Sequence, residues 1–198
     1  MLSLKNSIAT LASFLLFGCA LPITASAQGQ SASTASSTVS ATDQKFMKNA
    51  AQGGEAEVQL GQLAVQKAAS PDVKAFGQRM VDDHTKANDQ LKQVASQLGV
   101  TLPSQPNAQD SAEKARLEKM SGAQFDKAYM NYMVSDHKKD VADFQKAASH
   151  ATNPEVKNFA ETTLPTLQSH LQEAESIAPK ENAAAARTST TASYSNPQ

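Results

Sequence analysis

Apolar residues recur at steps of three and four through four long stretches of this chain, the spacing that gathers them on one face of an α-helix. The first stretch predicts a helix over about residues 43–69, with Ser40 or Thr42 as its cap. Its apolar face passes through Phe46, Ala50, Leu60, Ala64 and Ala68, and Glu57 falls on that inward face at helical spacing from Leu60 and Ala64. Gly53-Gly54 marks a bend or a close helix contact. The second stretch has a sharp start in Ser70-Pro71-Asp72: a cap, a proline in the first turn and an acid beside the helix N-terminus. Its seam is Val73, Gly77, Met80, His84, Ala87, Leu91, Val94 and Leu98, and Gly99 stops it.

The third long stretch opens on Ser121 with Gln124, a capping-box spacing, and runs to about Ser149. Phe125, Tyr129, Met133, His137, Val141, Phe144 and Ala148 lie near one face. The fourth opens on Asn153-Pro154-Glu155, and its seam is Val156, Ala160, Thr163, Leu167, His170, Ala174 and Ile177. Pro165 inside it predicts a kink or a split. Residues 99–110, with Pro103 and Pro106, read as a long connection, followed by a short helix over Ser111–Met120.

The two halves echo each other. Lys67-Ala68-Ala69-Ser70-Pro71-Asp72-Val73-Lys74 matches Lys146-Ala147-Ala148-Ser149 and then Pro154-Glu155-Val156-Lys157, and Phe76 matches Phe159. A duplicated helical hairpin gives an all-α four-helix bundle, with the short extra helix in the connection between hairpins. An extended coiled coil is disfavoured because strong caps and prolines interrupt the pattern. The bundle accounts for residues 42–178. Residues 28–41, rich in Ser, Ala and Thr, read as a flexible linker, and 179–198 as a disordered tail opened by Pro179.

The first 27 residues have the pattern of a secretory signal: Lys5, an apolar run from Ile8 to Leu21, and Ala25-Ser26-Ala27 as a small-x-small cleavage site. The run is short for a membrane anchor and Pro22 interrupts it, so no transmembrane segment is expected in the mature chain. Leu16-Phe17-Gly18-Cys19 partly resembles a lipobox, and a lipid anchor on Cys19 is the competing reading. Both place the protein in the periplasm or cell envelope. Cys19 is the only cysteine, so cleavage after Ala27 leaves no thiol chemistry. Net charge is −1 with both signs interspersed, Trp is absent, and no basic stripe marks a nucleic-acid partner.

Three histidines on three apolar seams are the chemically informative feature. Met80-Val81-Asp82-Asp83-His84 is echoed by Met133-Val134-Ser135-Asp136-His137, with Met and His one helical turn apart in each. In a bundle, Glu57, His84, His137 and His170 would each come from a different helix and meet at one depth. That donor set suits a single transition-metal ion, Zn, Cu or Fe. Met80 and Met133 read as core filler or as soft ligands for Cu(I). The competing reading of the histidines is a buried polar layer without metal, bonded to Glu57, Asp83, Asp136 or Asp140. Asp82-Asp83 and Lys138-Lys139 read as solvated helix surface, and His150 as a solvated turn residue. No phosphate loop, Cys-x-x-Cys pair or nucleophile motif is present in the sequence, so no catalytic residue is assigned.

Gly53-Gly54-Glu55-Ala56-Glu57-Val58, Leu60-Gly61, the two Met-to-His stretches, Phe125-Asp126-Lys127-Ala128-Tyr129-Met130, and Leu164-Pro165 through His170-Leu171 together resemble the DUF4142 family over about residues 42–178. The resemblance implies an exported bacterial protein with a ferritin-like helical bundle and no assigned activity. It also implies that Glu57, His84, His137 and His170 fall at the family's motif positions. A di-iron centre of the ferritin-like kind needs Glu three residues before its His. Val81, Val134 and Leu167 stand there instead, which disfavours ferroxidase chemistry.

Overall fold

A computed structural model describes residues 39–194, with side chains described to residue 188. The expected signal segment, Cys19 and the linker to residue 38 lie outside the described residues. Among the described residues five helices follow one another: α1 (Ala41–Lys67), α2 (Pro71–Gln97), α3 (Ala108–Leu117), α4 (Gly122–His150) and α5 (Pro154–Tyr194). All are α-helices, and the four long ones form two hairpins, α1–α2 and α4–α5.

Packing and direction follow from pairs of contacts. Asp43 of α1 reaches Asn153 at the start of α5, and Asp126 of α4 reaches Ser70 at the start of α2, so α1 and α4 run antiparallel. Lys180 meets Asp72 and Arg79 meets Glu173, so α2 and α5 are antiparallel as well. Around the bundle the order is therefore α1, α2, α5, α4. The α2–α4 connection must then run the length of the bundle, and it carries α3. One long crossover is the topology of ferritin-like four-helix bundles.

Ser40 caps α1 through Asp43 N at 3.0 Å, and Asn153 caps α5 through Glu155 N and Val156 N. The side-chain caps expected from Ser70 and Ser121 do not form. At Ser70 a distant carboxylate replaces them: Asp126 accepts from Ala69 N at 3.1 Å and Ser70 N at 2.8 Å. Asp43 does the same for the other hairpin, accepting from Thr152 N at 3.1 Å and Asn153 N at 2.9 Å. Each hairpin's turn is thus closed by an acid from the other hairpin. One constant offset relates Asp43 to Asp126, Ser70 to Asn153, Pro71 to Pro154 and Phe76 to Phe159, so the duplication seen in the sequence is a pseudo-two-fold in the fold.

Two expectations need correction. The short helix starts earlier, at Ala108, because Asn107 caps it by accepting from Asp110 N at 3.0 Å. The last helix neither splits at Pro165 nor ends before Pro179. It continues to Tyr194, so residues 179–194 are helical rather than a disordered tail. Each proline removes one intrahelical bond, and packing offsets the loss. Leu167 is buried just past Pro165. Beyond Pro179, Glu181 and Ala185 are buried, and Asn182 exchanges amide hydrogen bonds with Asn131 of α4.

Glycine sets the spacing of α1 on α2. A Cβ on Gly77 would sit 2.8 Å from Ala64 Cβ and 2.9 Å from the Gly61 carbonyl oxygen, so the two backbones touch there. This contact lies one turn from Glu57 and holds α1 close enough for that side chain to reach α2.

Two apolar clusters fill the bundle. One contains Leu60, Phe76, Met80, Phe125, Tyr129, Met133 and Ile177. The other contains Met47, Leu91, Phe144, Phe159 and Leu167. On every long helix they are separated by one buried polar side chain, and those four side chains make the site. Among the described residues no helix is long and apolar enough to cross a membrane.

Candidate metal centre

Glu57 on α1, His84 on α2, His137 on α4 and His170 on α5 meet in this layer. Their exposures are 1%, 5%, 0% and 0%, so water reaches none of them freely. The three histidines each offer one nitrogen within 4.8 Å of the others'. Their ring centroids are 5.3–5.8 Å apart, and the Phe76 ring lies beside two of them, 6.3 Å from His137 and 6.5 Å from His170.

Hydrogen-bond partners assign the tautomers. His137 Nδ1 faces the Met133 carbonyl oxygen at 3.1 Å, an atom that can only accept, so Nδ1 carries the proton. His170 Nε2 donates to Asp83 Oδ2 at 2.8 Å. Burial opposes ionisation of Asp83, but the His170 hydrogen bond and the neighbouring Arg79 guanidinium hold its carboxyl below the usual range. It is therefore an acceptor. The remaining nitrogens, His137 Nε2 and His170 Nδ1, then face each other at 3.3 Å with a lone pair on each and no proton between them.

The other two groups add to this convergence. Glu57 Oε1 lies 3.3 Å from His137 Nε2 and has no hydrogen-bond partner. Glu57 Oε2 lies 2.8 Å from His84 Nδ1, and His84 Nε2 is buried without a partner. Orphaned buried polar atoms are costly and ask for an explanation. Burial drives the titration of the whole layer. It lowers His84 and His170 to about 4, pushes His137 well below its usual value with help from the other two imidazoles, and raises Glu57 well above the carboxylate range. At neutral pH the imidazoles are uncharged, the form in which they bind metals.

The donor set passes a simple fit test. For metal–nitrogen bonds of about 2.0–2.1 Å, two ligands of a tetrahedral ion lie roughly 3.3 Å apart. That is the separation of His137 Nε2 from both His170 Nδ1 and Glu57 Oε1.

The sequence reading grouped these four residues and offered Asp83, Asp136 and Asp140 as further partners, and the structure gives each acid its place. Asp83, read both as solvated shoulder with Asp82 and as one of four acids able to bond the histidines, is the one that orients His170, while Arg79 ties it to Glu173 and Ser169. Its signal was its position next to His84, one step round the helix towards α5. Asp136 and Asp140 gather with Glu57, their oxygens within 4.8 Å of one another. The Tyr129 hydroxyl is buried without a partner, and its pKa is raised by burial and by the charge of Glu57. Met80 and Met133 are fully buried in the apolar cluster, and Met133 serves the layer through its carbonyl. His150 stands apart and exposed at the end of α4.

The family model described as a domain of unknown function, DUF4142, matches residues 28–177. No curated protein matches the chain. Among solved structures, a DUF305 fragment from Deinococcus radiodurans is similar at 16% identity with a TM-score of 0.63, over 72% of this chain and 98% of that one. A DUF305 protein from Streptomyces coelicolor, described as secreted, is similar at 12% identity and 0.61, over 71% and 94%. CopM in its Cu(I)-bound form is similar at 17% identity and 0.56, over 68% and 93%. At these identities the likeness concerns the fold.

Proposed function

The chain belongs to the DUF4142 family, and because that family's description assigns no activity we propose a function from the site itself: an exported bundle that binds one transition-metal ion. The observation that carries this reading is the pair of imidazole lone pairs facing at 3.3 Å with both ring protons engaged elsewhere. Such a contact is repulsive until a cation lies between them. His84, His137 and His170 would supply nitrogens, and Glu57 Oε1 the fourth donor. The ion would displace the proton that burial keeps on Glu57. His84 Nδ1, which faces Glu57 Oε2 at 2.8 Å, would be the nitrogen that ligates beside the freed carboxylate. The outer nitrogens of the other two histidines keep their acceptors, Met133 O and Asp83, as the second shell of a metal site requires.

Imidazole with one carboxylate favours borderline divalent ions such as Zn(II) or Cu(II) over hard ions. The likeness to a Cu(I)-bound CopM and the nearby Met80 and Met133 make Cu(I) the other ion to test. Export is supported by Ala25-Ser26-Ala27 behind an apolar run and by the likeness to a protein described as secreted. The test is titration of metal-free protein with Zn(II), Cu(II), Cu(I) and Fe(II). One equivalent should bind tightly in wild type and in His150→Ala, and binding should fall sharply in His84→Ala, His137→Ala and His170→Ala. If those three variants change stability and leave metal binding unaltered, the layer is purely structural.

A further inference from the structure

Gly53-Gly54, in the middle of α1, has no part in the histidine layer. The helix runs unbroken through the pair and neither glycine takes a positive φ, so the backbone does not require them. Glycine inside a helix costs stability, so the space it leaves is what needs a reason. The close approach of α1 to α2 lies elsewhere, at Gly61 and Gly77. At Gly54 a side chain takes the room instead. An added Cβ there would lie 3.0 Å from Asn88 Cγ and closer still to its Oδ1. Gly54 stands three residues before Glu57 and Asn88 four after His84, so the Asn88 amide sits one turn from the first hairpin's two donors.

Asn88 also lines a cavity of about 220 Å³ between α1, α2 and the connection to α3, walled by Ala51, Glu55, Leu91, Leu102 and Pro103. We propose that Asn88 is the gate through which a metal ion passes between this cavity and the histidine layer, swinging in the notch that Gly54 leaves. The gate presupposes metal binding by the layer, as proposed above, and supplies its route. The layer is otherwise closed, since none of its four donors is more than 5% exposed, and the least covered, His84, is the one a turn from Asn88. Other polar side chains around the layer are tied down. Asp83 is bonded to His170 and paired with Arg79, and Asp140 is paired with Lys139. Asn88 is half-buried, and its amide makes no hydrogen bond among the described residues. It can change rotamer without parting helices or breaking an ion pair, a fast motion for a side chain at the surface.

A gate acts on the barrier alone, so it changes the rates of uptake and release by one factor and leaves Kd where it was. Zn(II) is the probe: stopped-flow uptake by metal-free full-length protein, release into excess chelator, and equilibrium competition on the same preparations. Asn88→Ala removes the gate and should speed uptake and release together, about tenfold, with Kd unchanged. Asn88→Leu, close in shape but apolar, should stay packed in the notch and slow both. Circular dichroism with a thermal melt verifies the fold of each. Asp83→Ala, which acts through His170, should instead raise release more than uptake and so shift Kd, the signature of a residue that positions a ligand. Wild-type exchange rates in both Asn88 variants, or a Kd change carried by release alone, overturn the gate and leave the histidine site standing. If wild type takes up no Zn(II), the gate falls together with the zinc form of the histidine reading.

Discussion

His170 points its Nδ1 into the layer because Asp83 holds the other end of the ring, and two consequences at the residue scale follow from such pairings. Replacing Asp83 with Ala frees the imidazole to rotate or change tautomer. Loss of an outer acceptor of this kind lowers metal affinity about 10–100-fold. Asp83 is about one-third exposed, so the fold should survive. Competition titration against a chelator checks the affinity and a thermal melt checks the fold. The second consequence concerns Asp136, whose carboxyl is pushed up to about 9 by burial first and by Glu57, Asp140 and Asp110 next. The unfolded chain ionises this group near pH 4, whereas the folded, metal-free protein keeps it protonated until about pH 9. Between those values the unfolded state binds fewer protons, so Asp136 costs stability increasingly as pH rises. Asp136→Asn should therefore match wild type near pH 4, gain on it steadily towards pH 9, and level off above. Urea unfolding at pH 4, 6 and 8 in the presence of chelator measures this. A gain that does not depend on pH contradicts it. The inward histidines were legible in the sequence because they occupy apolar seam positions. That Asp83, among the four acids the sequence offered, is the partner of His170 was not, because it depends on which neighbour α2 packs against, and helical periodicity carries no such information.

Among the elements, the α1–α2 pair depends most on one small contact. At Gly77 an added methyl would meet Ala64 Cβ and the Gly61 backbone, and neither can move aside as a flexible side chain would. Gly77→Ala should push α1 away from α2 and cost about 1–3 kcal/mol, the usual penalty for overpacking a tight site. The same displacement would lengthen the Glu57–His84 contact, so metal affinity should drop together with stability. Chemical denaturation and metal titration on one preparation test the coupling, and a stability loss with unchanged affinity would break it. Helix starts at Pro71 and Pro154 were readable from caps and prolines. The reach of the last helix was not. Pro179 is a strong local stop signal, and what overrides it is tertiary: the Asn131–Asn182 amide pair and the burial of Ala185 against the rest of the bundle. The clamps from Asp43 and Asp126 were missed for the same reason, since each joins residues far apart in sequence.

At the scale of the whole molecule, the layer is where the two hairpins meet. Glu57 and His84 come from the first, His137 and His170 from the second. The apolar clusters above and below hold the hairpins together by contacts that any well-packed side chains could supply. The layer itself is a weak seam without a cation, because it buries neutral imidazoles, a carboxyl displaced from its ordinary ionisation and two facing lone pairs. An ion there would turn the seam into a cross-link between hairpins far apart in the chain. Because the unfolded chain does not hold the four donors together, binding adds to folding stability by mass action, about 2.7 kcal/mol at a hundredfold excess over Kd. For a chain of this size each kcal/mol raises Tm by about 2–4 °C, so saturation with the bound ion should raise Tm by roughly 5–10 °C. The rise should shrink towards zero in His137→Ala and in His170→Ala. It should also fade as pH drops, because protons compete with the ion for Glu57, whose carboxyl burial holds well above the usual range, and it should remain in His150→Ala, whose ring is exposed and apart from the layer. Differential scanning calorimetry with and without metal, at neutral pH and near pH 5, measures all of these. A Tm rise that is equal in wild type and in His170→Ala would place the bound ion elsewhere on the molecule.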